Sequence, residues 1–209
     1  MRQTFIKCSR LKSLRPVFKK WISVNRQYCE EMSWQDCGWW ANERTSTGIL
    51  AIAAWQAGGI ALEEFVTKKV RKKKSKKQKH RSGRCDLLFT TRSEQFACEM
   101  KQVFPRLTKK NTNDISKIKQ QFDFACEDAR LLFSEEGRRL GVCFVTPRFP
   151  ESQIEEMKKS LGEFLECLKE KLAGSYDAIA WYFPKKATKM KWKDNDRTYP
   201  GIIILAKEI

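Results

Sequence analysis

The sequence predicts a mixed α/β (α+β) domain in which helices flank a β-sheet. Leu140–Thr146, LGVCFVT, is continuously apolar, which is typical of a central strand covered on both faces. Residues 113–133 and 152–172 instead carry apolar side chains at helical spacing, which predicts two amphipathic helices. Because strand-type and helix-type segments alternate along the chain, we expect them to form layers around one sheet.

The N-terminal part of the chain is predicted to be helical. Residues 1 to about 38 are basic, and five of their apolar residues recur near helical spacing: Phe5, Leu11, Leu14, Phe18 and Trp21. A second helix is predicted from Asn42 to Gln56, with Asn42 as its N-cap and Gly58–Gly59 as its stop signal. We therefore divide the chain into a basic N-terminal helical segment, 1–38, and a main domain, 39–209.

The strands of the main domain are predicted from short apolar or alternating runs. Two of them flank a polar turn at Thr90–Glu94, which predicts a hairpin. The predicted strands other than Leu140–Thr146 are Ile60–Val66, Cys85–Thr90, Gln95–Gln102, Tyr176–Phe183 and Gly201–Ala206.

The net charge of +17 favours a polyanionic partner, nucleic acid before an acidic membrane surface. Ten Lys and Arg residues lie in Lys68–Arg81, which predicts a solvated, mobile loop. In a nucleic-acid-binding protein this run would hold the phosphate backbone without reading bases. The lysines that we expect to do so are Lys72, Lys73, Lys74, Lys76 and Lys77. The alternatives are a purely solubilising loop and a localisation or anionic-membrane patch.

Several function classes find no support in the sequence. The eight cysteines include no CxxC pair and His80 is the only histidine, which argues against a zinc site and favours buried, reduced thiols. No P-loop motif and no apolar run long enough to span a membrane are present. The basic N-terminus lacks the apolar core of a signal peptide, so we expect a cytoplasmic protein without a membrane partner.

Three charged residues stand out in the predicted hairpin. Glu99 and Lys101 are two positions apart, so their side chains leave the strand on the same face, about 6–7 Å apart. If the two strands pair through the turn, Asp86 reaches the same face. Two carboxylates at one spot repel each other unless a cation lies between them, and hard oxygen ligands favour Mg²⁺ or Mn²⁺.

Such a group has a specific chemical use. A divalent metal binds a phosphate oxygen and acidifies its bound water, and a neighbouring lysine orients that water and offsets charge in the transition state. The three residues therefore favour metal-assisted phosphodiester hydrolysis. The alternative is an ordinary ion cluster on an exposed sheet face.

This pattern resembles the PD-(D/E)xK nuclease superfamily, whose fold is that of restriction endonucleases. In that family a helix precedes three strands, the second strand carries an Asp, the third carries Glu-x-Lys, and a helix and a further strand follow. The resemblance covers about Glu43 to Thr146. It implies a mixed β-sheet flanked by helices, with Asp86 and Glu99 as metal ligands and Lys101 as the catalytic lysine.

The resemblance also assigns supporting roles. Many members add a glutamate from the first helix, a role that Glu43 would fill here, with Glu64 as the alternative. Arg84 and Gln102 flank the motif as they do in the family, while Lys117 and Gln121 lie on the helix that borders the active site. These last four residues are our candidates for nucleic-acid contacts. Cys85 stands where the motif has proline.

The resemblance implies a Mg²⁺- or Mn²⁺-dependent nuclease, with DNA as the preferred substrate and a possible role in bacterial or phage genome defence. A homodimer or a partner subunit is compatible with it. One rival is a catalytically inactive nucleic-acid-binding module or a subunit of a larger complex. The other is a membrane-surface or adaptor protein that uses the basic run.

Overall fold

The computed structural model describes residues 3–70, 80–107, 113–133, 135, 137–150, 154–190 and 197–209. Nine strands lie in these residues: β1 (Thr4–Cys8), β2 (Ala61–Val70), β3 (His80–Thr90), β4 (Gln95–Val103), β5 (Arg138–Val145), β6 (Phe149–Pro150), β7 (Ala178–Tyr182), β8 (Arg197–Thr198) and β9 (Ile202–Glu208). The α-helices of the same residues are α1 (Leu14–Glu31), α2 (Glu43–Gln56), α3 (Asn113–Ala129) and α4 (Ile154–Lys171).

Seven strands form one mixed sheet in the order β1-β7-β9-β5-β4-β3-β2. Only β4 and β5 are parallel neighbours in this sheet, and the other adjacent strands are antiparallel. The connection between β4 and β5 contains α3, as parallel strands require a crossover. The short strands β6 and β8 form a separate pair.

The sheet separates two hydrophobic cores. On one face, α1 and α2 pack against inward side chains of the sheet such as Met100, Val142 and Ile204. On the other face, α3 and α4 pack against the sheet residues that alternate with these along the strands, including Cys143 and Leu205. The alternation along β5 confirms that Leu140–Thr146 contributes a central strand buried on both sides. The protein is therefore a mixed α/β structure in which helices flank a seven-stranded sheet.

Helix α2 begins where the sequence predicts. The Asn42 side chain accepts a hydrogen bond from the Thr45 backbone N–H at 2.9 Å, which satisfies one of the helix's first amide groups. The helix ends at Gln56, and Gly58 then adopts φ +87°, a conformation that glycine favours. The order of the remaining helices and long strands of the main domain also agrees with the prediction, whereas the short strands β6 and β8 were not predicted.

Two predictions about local structure are wrong. Thr4–Cys8 is a strand paired with β7, not the beginning of a helix, because its backbone completes the edge of the sheet. Residues 3–38 thus add a strand and a helix to the same sheet and core as the rest of the chain. The loop predicted over Lys68–Arg81 is wrong at both ends: Lys68, Lys69 and Val70 belong to β2, and His80 and Arg81 belong to β3, while residues 71–79 lie outside the described part of the chain.

All eight cysteines are thiols rather than disulfides, and seven of them are buried. Within the part of the chain that the structure describes, none of the helices combines the length and apolar character needed to cross a membrane.

Candidate active site at the fork between β3 and β4

The candidate site lies where β3 and β4 stop pairing. Their ladder runs from Thr90–Gln95 to Leu87–Cys98, and in the described part of both strands it goes no further. Beyond this point β3 stays with β2, while β4 stays with β5 as far as Val103. The sheet therefore forks, and Asp86, Glu99 and Lys101 lie at or just beyond the fork.

Asp86 bridges the two branches with its side chain. Its Oδ2 accepts a hydrogen bond from the Met100 backbone N–H at 2.7 Å, so a carboxylate replaces the strand partner that β4 has lost. Because a strand residue directs its N–H and C=O toward the same neighbouring strand, the Met100 carbonyl also faces the fork. The fork thus exposes a backbone oxygen beside the Asp86 carboxylate.

The backbone opposite Asp86 is irregular. The β2–β3 ladder pairs Glu63 with Leu87 and Phe65 with Cys85, but the intervening Glu64 has φ +52°. A non-glycine residue in this region costs about 1–2 kcal/mol, and such residues cluster at functional sites. The Glu64 carboxylate itself is exposed and interacts with Arg44 and Arg84, and these interactions hold its pKa below the ordinary value.

Glu99 is the most buried carboxylate of the fork, with a side chain only 5% exposed. Lys69 Nζ lies 2.6 Å from Glu99 Oε1. The contact is a close ion pair between two largely buried side chains. Burial, opposed by Lys69 and reinforced by Asp86, raises the pKa of Glu99 to about 7.

Lys101 is held at the fork by a contact with α3. Its Nζ lies 3.3 Å from Asp128 Oδ2 and donates a hydrogen bond to the Met100 carbonyl oxygen at 3.0 Å. Burial alone would lower the pKa of Lys101, but the Asp128 hydrogen bond and the charges of Asp128, Glu43 and Asp86 together raise it. Lys101 is therefore an ammonium at neutral pH.

A glycine brings α3 close enough for this contact. A Cβ on Gly141 of β5 would lie 2.6 Å from Cys126 Sγ and 2.7 Å from the backbone nitrogen of Cys126 in α3. Only a residue without a side chain permits this approach. Since Asp128 follows Cys126 by two residues, the same approach sets the position of its carboxylate above β4.

Glu43 reaches the fork from the first turn of α2. Its carboxylate accepts a hydrogen bond from the Gln102 backbone N–H and interacts with the charges of Lys101, Asp86 and Asp128. Burial, partly opposed by Lys101 and reinforced by Asp86, raises its pKa. Between the two glutamates left open by the sequence, the structure brings Glu43 to Asp86 and Lys101, and Glu64 to two surface arginines.

Four carboxylates and two lysines therefore share the fork: Glu43, Asp86, Glu99, Asp128, Lys69 and Lys101. The carboxylates outnumber the ammonium groups by two, in a chain whose net charge is +17. Carboxylate and carbonyl oxygens are the ligands that Mg²⁺ and Mn²⁺ prefer, and Glu99 Oε1 is a buried oxygen of this kind. The donor chemistry of the fork thus fits a hard divalent cation.

The ligands are not drawn together around one point. Among the described residues, no three Asp, Glu, His or Cys side chains form a ready-made metal-binding group. Each fork carboxylate is engaged instead: Asp86 by Met100 N–H, Glu43 by Gln102 N–H, Glu99 by Lys69 and Asp128 by Lys101. A metal could bind here only if some of these contacts were broken and replaced by contacts between the carboxylates and the metal.

The residues predicted to contact nucleic acid have different environments. The Gln102 side-chain amide accepts a hydrogen bond from Ser46 Oγ and donates hydrogen bonds to the Trp39 carbonyl and to Thr146 Oγ1. Gln102 therefore connects β4 with α2 and with the residue that follows β5. Arg84 is exposed and paired with Glu64, and Nζ of the exposed Lys117 lies 3.7 Å from Oδ1 of the buried Asp114 in α3. Gln121 is half-buried on the same helix. Lys72, Lys73, Lys74, Lys76 and Lys77 lie outside the described residues.

Sequence reasoning missed two members of the fork. The sequence pattern places Lys69 in the loop. The predicted strand, which ends at Val66, could have been continued by a few residues, which would have brought Lys69 into β2. Asp128 lies 27 positions after Lys101 on a helix, and nothing in its local sequence distinguishes it from Asp123 or Glu127. The close approach of α3 at Gly141 is what selects Asp128.

The sequence matches no protein-family model, and comparisons with curated proteins and with solved structures gave no match.

Proposed function

We propose that this protein is a divalent-metal-dependent nuclease of restriction-endonuclease-like fold, which hydrolyses phosphodiester bonds with DNA as its preferred substrate. The observation that carries the proposal is the meeting of Glu43, Asp86, Glu99 and Lys101 at the fork. These residues come from α2, β3 and β4, and they are the ones that the resemblance to PD-(D/E)xK nucleases selects.

Asp86, Glu99 and Glu43 would hold Mg²⁺ or Mn²⁺, with the Met100 carbonyl as a further oxygen. A cation bound there supplies charge to a phosphate oxygen and acidifies a bound water. The Asp86 carboxylate stays anchored to the Met100 N–H through Oδ2, so Oδ1 is the oxygen that would face the metal. This anchoring fixes one ligand in place before substrate arrives.

Lys101 acts as a hydrogen-bond donor in this scheme. Its raised pKa keeps it an ammonium, which donates to the attacking water or to the phosphate oxygens as negative charge develops. Asp128 and the Met100 carbonyl fix the direction of its Nζ.

The basic surface supplies substrate affinity. With a net charge of +17, the chain attracts a phosphate backbone without regard to base sequence, and binding should weaken steeply as salt rises. The acidic fork lies within this basic chain, so a metal ion is also needed to neutralise the local repulsion between the fork and a scissile phosphate.

The test is incubation of the purified protein with plasmid DNA and with linear single-stranded DNA, in Mg²⁺ or in EDTA. We expect cleavage in Mg²⁺ that EDTA abolishes and that Lys101→Ala removes, while the matched surface variant Lys119→Ala cleaves normally. Lys119 pairs with Asp123 on the exposed side of α3 and is remote from the fork contacts described above. Normal cleavage by Lys101→Ala would show that the site is wrongly assigned.

A non-catalytic nucleic-acid-binding module is the second candidate. The observation that favours it is that the described ligand side chains do not converge on one point. Such a module would bind DNA with a strong salt dependence, would respond equally to Mg²⁺ and to monovalent salt of the same ionic strength, and would not cleave. The comparison of EDTA with Mg²⁺ at constant ionic strength separates the two.

A further inference from the structure

We propose that Lys69 is an internal cation that occupies Glu99 in the metal-free protein and is displaced from it when a divalent metal binds. The inference rests on the proposed function, since it concerns the same carboxylate. It gives Lys69, which lies outside the PD-(D/E)xK pattern, a role in metal binding.

The first argument is the contact itself. Lys69 Nζ lies 2.6 Å from Glu99 Oε1, and the two side chains are 16% and 5% exposed. A buried carboxylate needs a compensating charge, and Lys69 supplies it where no metal does. The attraction between opposite charges holds the pair together, and a divalent cation, with twice the charge of an ammonium, competes well for such a site.

The second argument is that the backbone is built to deliver this lysine. Lys69 pairs with Arg81 across the β2–β3 hairpin, and its backbone also forms a bridge with Leu132, just beyond α3. The outer end of β2 is thereby fixed over the fork. The ammonium of Lys69 reaches Glu99 from a strand that is not adjacent to β4 in the sheet.

The third argument is the room left for its stem. A Cβ on Gly83, across the hairpin, would lie 2.9 Å from Lys69 Cγ and 3.0 Å from Cδ. A side chain at position 83 would therefore force the aliphatic stem of Lys69 to shift from the path it takes to Glu99. The absence of a side chain at Gly83 is thus matched to the presence of a long side chain at Lys69.

Displacement follows from charge. A divalent cation bound to the Glu99 carboxylate would place two positive charges within a few ångströms of the Lys69 ammonium, in a part of the protein where burial weakens screening. Lysine has a flexible four-carbon stem, so Nζ can leave Oε1 without movement of the strand. The fork carboxylates already have partners, so metal binding requires some of these contacts to break. Release of Lys69 from Glu99 would be one of them.

The experiment measures the reactivity of individual lysines toward an amine-acylating reagent, with and without Mg²⁺, by mass spectrometry. In the wild type we expect Mg²⁺ to raise the labelling rate of Lys69 at least about fivefold, because metal binding shifts its population away from Glu99. Lys119, whose ion pair with Asp123 is unrelated to the fork, serves as the internal control and should not change.

Two variants keep the test independent of any single substitution. Gly83→Ala should raise Lys69 labelling without metal, because its methyl group displaces the stem. Glu99→Gln should do the same by removing the charge, and should abolish the response to Mg²⁺. Equal labelling of Lys69 in Gly83→Ala and in the wild type would overturn the inference.

Failure of the inference and of the proposed function have different signatures. If Mg²⁺ raises the melting temperature of the wild type but leaves Lys69 labelling unchanged, metal binds without displacing the lysine and only the inference is overturned. If Mg²⁺ changes neither the melting temperature nor the labelling, no metal binds at the fork and both are overturned.

Discussion

The two halves of the sheet are built on different principles. On the side of β5, β9 and β7, the ladders are regular and every residue of β7 is buried and apolar. On the side of β4, β3 and β2, the ladder breaks at the fork, Glu64 has a positive φ, and four carboxylates and two lysines share the fork. One sheet thus contains a stabilising half and a polar half.

The difference teaches where the stability of the fold comes from. Burial of apolar side chains against continuous strands is favourable, whereas burial of carboxylates with raised pKa opposes folding. Natural proteins retain such unfavourable groups at sites of function. The comparison predicts that substitutions in the regular half change stability, while those at the fork change activity and metal binding.

The largest expected effect is on activity at the fork. Lys101→Ala should reduce Mg²⁺-dependent DNA cleavage by about 10²–10⁴-fold, the size of effect seen when a charge-stabilising donor is lost. Initial rates at saturating DNA would be compared with those of Lys119→Ala. The melting temperatures of both variants should stay close to that of the wild type, because neither lysine lies in the apolar cores.

In the regular half, Leu205→Ala should lower the free energy of unfolding by about 2–5 kcal/mol, since it removes a fully buried side chain from β9. Leu62→Ala, at a half-exposed position of β2, is the matched control and should cost well under about 1 kcal/mol. Urea unfolding measures both. Equal losses in the two variants would contradict the division of the sheet.

Gly141→Ala tests the point at which the two halves meet. The added methyl group would collide with the backbone of α3, so we expect a loss of about 1–3 kcal/mol in unfolding free energy. It should also weaken cleavage, because α3 carries the Asp128 partner of Lys101. A variant that loses stability but cleaves at the wild-type rate per folded molecule would show that Asp128 does not position Lys101.

The smallest effect is a gain. The pKa of Glu99 is about 7 in the folded protein against an ordinary value of 4.5, so its ionisation opposes folding increasingly as pH rises from about 4.5 to 7, and constantly above. Glu99→Gln should therefore stabilise the protein by about 1–3 kcal/mol at pH 8 and by almost nothing at pH 4. Thermal unfolding at the two pH values measures this difference, and a pH-independent effect of the substitution would contradict it.

The sequence predicts the regular parts of this fold well, because their signals are local. The apolar run of β5, the cap at Asn42 and the apolar stripe of α3 each depend on residues a few positions apart. The strand at Thr4–Cys8 was missed, because Phe5 continues the helical spacing of α1 by chance while its backbone is needed at the edge of the sheet.

The fork is predicted only in part. Asp86, Glu99 and Lys101 are close in sequence and follow from strand alternation. Lys69 reaches them because the end of β2 bridges to Leu132. Asp128 reaches them because α3 approaches β5 closely at Gly141. Both contacts depend on tertiary packing over more than 25 positions, which no local pattern records. The irregular φ of Glu64 likewise has no sequence signal.

The most direct test of the central claim, that the fork is a metal site, is the affinity for Mn²⁺ measured by calorimetry or electron paramagnetic resonance. Asp86→Asn keeps an oxygen for the Met100 N–H but loses the ligand charge, and Asp123→Asn on the exposed side of α3 is the matched control. The account predicts that Asp86→Asn weakens Mn²⁺ binding at least about tenfold, a loss of about 1.4 kcal/mol, while Asp123→Asn binds as the wild type does. Equal affinity in all three proteins would contradict it.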